Sequence, residues 1–171
     1  MKRVTSKIDK LTLAMISYYK GDPRRIQHFL KVHSFARLIG KYEGLDEKTQ
    51  FILEAAALVH DIGIKPAEEL YGKGVCGGDL QQKLGVEPAA SVLGGLDFEQ
   101  SDIDRICYLV AHHHTYKNIE GLDLQILIEA DFLVNAYEDS LSGEAIESFK
   151  TRIFKTKTGT ELLRTMFCDK S

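Results

Sequence analysis

His60 and Asp61 stand side by side at the end of an apolar run, Phe51 to Val59, and lead straight into Ile62 and Gly63. A helix this rich in Ala and Leu belongs in a core, where a carboxylate is costly unless a cation neutralises it. An imidazole beside a buried carboxylate predicts a metal ion. A second acid of this kind, Asp131, lies among the Ile, Leu, Phe and Val residues of the stretch from Leu124 to Val134. Read alone, Asp131 suits a structural ion pair or a cap on a neighbouring helix. In one small chain with His60 and Asp61 it reads as a further ligand.

Two histidines compete for the next ligand position. His28 lies one helical turn before Val32 and two before Phe35 and Ala36, on an inward stripe, whereas His33 shares a face with Ile26, Phe29 and Leu30. Periodicity leaves the two nearly tied. Arg24 and Arg25 precede His28 by one turn, a natural place for a phosphate clamp. His112, His113 and His114 end a run whose inner stripe passes through Ile103, Ile106 and Val110. Continued spacing reaches His113 first and His114 second, with His112 turned away. The plain alternative for this triplet is a favourable contact with a helix C-terminus.

Two histidines and two aspartates on separate helices suit a divalent transition ion such as Mn, Fe, Co, Ni or Zn, with positions left for water. Water on such an ion is acidified. Beside Arg24, Arg25 and Lys65, the centre has the parts needed to attack phosphorus and neutralise the developing charge.

The elements that must position these residues read as helices throughout. Apolar residues recur every three to four positions, while alternating strand-like runs and Asn-Gly or Asp-Gly turns are absent. Asp22-Pro23 and Asp46 are helix starts, and Thr158-Gly-Thr-Glu161 has the spacing of a capping box. Roughly eight helices are predicted, over about 4–20, 22–40, 46–62, 65–71, 86–96, 100–114 and 122–139, with a C-terminal pair between 143 and 168. The segment Tyr71–Gly78 and the polar residues after it break the pattern. Its glycines, Gly72, Gly74 and Gly77, spell a dinucleotide fingerprint but follow no strand, so a loop over a cavity or at the surface is the better reading.

Composition sets the outer bounds. The 171 residues, 44% hydrophobic and 27% charged, fit one domain with a real core, and a net charge of −3 gives no field for gripping extended nucleic acid. Cys76, Cys107 and Cys168 form no pairing pattern, which predicts a reducing, cytoplasmic setting. The apolar stretch Leu11–Tyr19 is too short to span a bilayer and carries no cleavage pattern, so it reads as an amphipathic helix. Ile146, Phe149, Ile153 and Phe154 make an apolar face that packs on the core or dimerises two copies, with core packing preferred.

Taken together, His28-x-x-x-Val32, Leu58-Val-His60-Asp61-Ile-Gly and Ala130-Asp131 resemble the H…HD…D signature of the HD superfamily of metal-dependent phosphohydrolases, over about Pro23 to Glu138. The resemblance implies an all-α helical bundle in which His28, not His33, joins His60, Asp61 and Asp131 on a metal. It implies hydrolysis of phosphate esters or anhydrides, often in nucleotides. Leu109–Tyr116 also looks like the histidine segment of the binuclear members, such as those that split diadenosine polyphosphates, with His113 the best match. The chain departs from that pattern at Gln81, where those members carry another histidine, so one ion is expected rather than two. It departs again at Ile64, where many relatives place Lys or Glu; here the lysine comes one later, at Lys65.

The expectation is a single domain over 1–171, its motif-bearing core at about 22–140, hydrolysing a small phosphorylated metabolite such as a nucleotide with metal-activated water. Asp61 binds metal and orients water, and Arg25, with Arg24 in reserve, holds phosphate. His113 or His114 joins a second metal or transfers a proton. The alternative is a non-catalytic metal or nucleotide sensor built on the same ligands.

Overall fold

A computed structural model describes residues 5–168. It contains nine α-helices: α1 (Lys7–Tyr18), α2 (Pro23–Tyr42), α3 (Glu47–Val59), α4 (Ile64–Tyr71), α5 (Gly78–Gly94), α6 (Gln100–His112), α7 (Leu122–Glu138), α8 (Gly143–Ile153) and α9 (Lys157–Leu163), followed by one π-helical turn, Arg164–Cys168. Among the described residues there is no strand, and no helix is long and apolar enough to cross a membrane. The predicted first helix began at Val4, which lies outside the described residues.

Local chemistry accounts for most of the starts. Ser6 and Asp9 make a reciprocal capping box at α1, Asp22 accepts from the Arg25 amide with Pro23 opening α2, and Asp46 accepts from the amides of Lys48 and Thr49. The C-terminal start is displaced from its prediction. Thr156, not Thr158, caps α9 by accepting from the Gly159 amide, because buried Glu129 on α7 holds the Thr156 hydroxyl in place.

Helix α7 forms the centre, with 13 of its 17 residues buried. That burial on all sides explains why its sequence is apolar all round. Helix α3 packs against α1, α2, α6 and α7, and its fully buried Ala55, Ala56 and Ala57 let these neighbours approach closely. The C-terminal apolar face packs on the core: Ile146, Ile153 and Phe154 are buried, and Phe149 stacks on Phe132 with ring centres 3.8 Å apart.

Two boundaries differ from expectation in ways that shape the site. Helix α3 ends at Val59, so His60 to Gly63 form a turn rather than a last helical turn. Helix α5 starts at Gly78 rather than near residue 86, which shortens the loop before it. Pro88 lies inside α5, as the predicted span already had it, and the earlier start brings Gly85 inside as well. Gly85 serves a close approach: a Cβ there would lie 2.9 Å from Val110 Cγ1 on α6 and 3.4 Å from the Gly63 nitrogen.

Candidate metal centre and cavity

Helices α2, α3, α6 and α7 each deliver donors to one buried point. From α2 comes His28, and its Nε2 lies 3.1 Å from Asp131 Oδ1, 3.3 Å from His60 Nε2 and 3.3 Å from Asp61 Oδ2. His60 Nε2 is 3.4 Å from both Asp61 Oδ2 and Asp131 Oδ1. On the other side of Asp61, Oδ1 faces His113 Nε2 at 3.5 Å. His28, His60 and Asp131 form one group of donor atoms able to hold an ion, and Asp61, His113 and His114 form another.

The same local device aims two of these imidazoles. His60 and His113 are the C-cap residues of α3 and α6, and the Nδ1–H of each donates at 2.8 Å to the carbonyl three residues earlier, Ala57 and Val110. A helix end has carbonyls with no amide partner, so it can lock a histidine ring and send Nε2 inward. His28 is locked differently: its Nδ1 donates to Glu138 Oε2 at 2.8 Å, and Glu138 Oε1 accepts from Lys31 at 2.8 Å. Asn135 donates to Asp131 Oδ1 at 2.9 Å. The turn at 60–63 is anchored from α1, where the Tyr19 hydroxyl donates to the Asp61 carbonyl at 2.8 Å.

These contacts shift the charges. Burial alone would push both carboxyls up, but His60, His113 and His28 hold Asp61 well below the usual carboxylate range, and hydrogen bonds from His28 and His60 hold Asp131 low. Burial opposes charge on His28 and His60, yet the facing aspartates raise both. A site in which bare carboxylates must recruit protons onto imidazoles is short of positive charge, as a cation site is. His113 Nε2 supplies the test of fit: it is fully buried, has no hydrogen-bond partner among the described residues, and points at a carboxylate oxygen. On the inner side, the donors His28, His60, Asp61 and Asp131, two imidazoles and two carboxylates linked by contacts of 3.1 to 3.4 Å, fit a divalent ion of borderline softness.

His28, Asp61 and Asp131 form the floor of a cavity of about 800 Å³, with His60 and His113 fully buried beneath, and its wall includes Arg24, Arg25, Cys76, Gly77, Gln81, His114 and Tyr116. Burial, with His113 beside it, pulls His114 down to about 4. Its neutral ring donates from Nε2 to Gln81 Oε1 at 2.8 Å, and Nδ1 faces the Tyr116 hydroxyl at 3.4 Å. Burial pushes the Cys76 thiol up, which leaves it without thiolate character.

A family model described as the HD domain matches residues 25–147. The chain belongs to the HD domain family. A solved structure similar to this HD domain is the crystal structure of a predicted HD superfamily hydrolase from an uncultured Thermotogales bacterium. The two share 25% sequence identity at a TM-score of 0.64, covering 96% of this chain and 87% of that one. No curated protein matches the chain.

Within the HD domain, His28, His60, Asp61, Asp131 and His113 meet at one point, while His33 pairs with Glu54 at 3.1 Å elsewhere and His112 turns away to stack on Tyr108. Gln81 reaches the cavity from α5. Lys65 does not line it: the ammonium donates to the Tyr18 carbonyl at 3.1 Å and sits over the Tyr18 ring, because the turn at 60–63 directs the start of α4 toward α1. Sequence reasoning missed Asn135 and Glu138, which follow Asp131 at four and seven positions and so share its helix face; that spacing was the available signal. It also missed Tyr19, for which no local signal exists.

Proposed function

We propose that the HD domain is a cytosolic, metal-dependent phosphohydrolase acting on a small phosphorylated metabolite of the nucleotide class. The observation that carries this reading is the convergence of His28, Asp61 and Asp131 on the floor of a cavity that opens past two arginines, with His60 and His113 fully buried beneath them. A divalent ion held by His28, His60, Asp61 and Asp131 would acidify water and draw charge from phosphoryl oxygens.

The chain's own groups supply the rest. Asp61 presents Oδ2 to His28 and His60 and Oδ1 to His113, so one carboxylate can serve the ligand set and orient an attacking water together. His113, buried with its Nε2 facing Asp61 Oδ1, either joins a second metal or passes a proton toward the leaving oxygen through that carboxylate. Arg25, braced against Glu68 at 2.9 Å, presents a fixed guanidinium at the wall, and Arg24 guards the rim. His28 and His60 hold their orientations through Glu138 and the Ala57 carbonyl.

The test is phosphate release from nucleoside mono-, di- and triphosphates and dinucleoside polyphosphates with added Mn, wild type against Asp61→Ala. Release from the wild type and loss in a variant that keeps its helical circular dichroism are expected. An active Asp61→Ala protein would overturn the reading, and Mn binding with no release from any compound would favour a sensor.

A further inference from the structure

Phosphate chains need positive charge along their whole length, and the cavity wall withholds it. Among the described residues, Arg24 and Arg25 are the only arginines or lysines that line the cavity. Each also faces a carboxylate, so the pair can serve one phosphate but leaves little charge for a longer chain. Arg25 makes a two-pronged contact with Glu68, at 2.9 and 3.4 Å, and lies 3.6 Å from Asp22; Arg24 lies 3.5 Å from Asp139. Lys31 is spent on Glu138 at 2.8 Å, and Lys65 faces α1.

Acids dominate what remains. Beyond Asp61 and Asp131, the wall carries Asp22, Asp79, Glu138 and Asp139, and Asp79 has no cationic partner within 4 Å among the described residues. One phosphate fits beside the His28, His60, Asp61 and Asp131 donors. A second or third would stand against this wall, where like charges in a half-enclosed space repel more strongly than in water. The same carboxylates can accept hydrogen bonds from hydroxyl or amino groups, and the volume of about 800 Å³ is more than a phosphate alone requires.

Resting on the hydrolase reading above, we propose that the substrate is a monoester with a single phosphate, whose alcohol part is uncharged or cationic and rich in hydrogen-bond donors, as in a nucleoside monophosphate or a sugar phosphate. Nucleoside di- and triphosphates are rejected by the acidic wall. The reaction balances simply: a water oxygen forms a bond to phosphorus, the ester P–O bond breaks, and the water proton ends on the alcohol oxygen, with no change of oxidation state.

The experiment compares kcat/KM for adenosine mono-, di- and triphosphate at stoichiometric Mn and low salt, so that free ions do not mask the longer chains. Calorimetric binding of the same three compounds to the Mn-loaded protein is measured beside it. The monophosphate is expected to lead by about tenfold or more in both readouts, and the lead to shrink as salt is added. The double variant Asp79→Asn, Asp139→Asn should raise the ratio of diphosphate to monophosphate kcat/KM severalfold. Equal or better use of the triphosphate, or a ratio unmoved by the double variant, would overturn the proposal. Phosphate release from none of the three would count against the hydrolase reading instead, and the binding order would still decide this one: triphosphate bound as tightly as monophosphate overturns it.

Discussion

Glu138 grips His28 through the ring nitrogen that faces away from the site, at 2.8 Å, while its other oxygen is held by Lys31. The pair fixes both the tautomer and the tilt of His28, leaving Nε2 as the inward donor. Glu138→Ala is expected to weaken Mn binding by about 10–100-fold, with Glu138→Gln, which keeps an acceptor, losing less. Calorimetric Mn titration checks this independently of turnover.

Acidity should act on the metal-free protein from both sides. His28 and His60 titrate higher in the fold than in the unfolded chain, so their contribution is full below about 6.5 and is lost as pH climbs through the raised values. Asp61, Asp131 and Glu138 titrate lower, so theirs is full above about 4.5 and is lost as pH falls. Thermal melts in EDTA should therefore peak between those limits and decline on the alkaline side. Mn should reverse the alkaline limb, because the ion displaces those protons and binds more tightly as pH rises.

Gln81 occupies His114 Nε2 at 2.8 Å. Gln81→His removes that acceptor and adds a ring to the group formed by Asp61, His113 and His114. We expect about one Mn per chain in the wild type and a rise toward two in the variant. Equilibrium dialysis with metal analysis reads the difference directly.

Gly63 closes the site turn with no room for a side chain, since a Cβ would run into the Gln81 carbonyl and come within 2.8 Å of the Gly85 nitrogen. Both obstacles are backbone. Gly63→Ala should destabilise the fold by about 1–3 kcal/mol, lowering Tm by several degrees, and should reduce Mn affinity as α5 is pushed from the turn. A melt and a Mn titration on one sample measure both effects.

What could be read from the chain was what local chemistry determines. Asp22 and Asp46 announce their helices because each cap bond closes within three residues. His60, Asp61 and Asp131 were legible because ionisable groups in apolar runs demand partners. What escaped depends on residues distant in sequence. The place of Gly85 inside α5 depends on Gly63 and Val110, which leave no room for a side chain there. The true α9 cap needs Glu129, 27 positions away from Thr156. The bracing of Arg25 needs Glu68, 43 positions on, and no periodicity records such a pairing.

Glu129 has one more consequence. It accepts from the Lys155 and Thr156 amides at 2.7 and 3.0 Å, only two residues before Asp131. Helix α7 is thus clamped near its middle by the α8–α9 junction and, two residues along, contributes Asp131 to the candidate metal centre. Loading the ion should slow amide-hydrogen exchange at Lys155 and Thr156, so that occupancy of a deeply enclosed site becomes audible at the far side of the bundle.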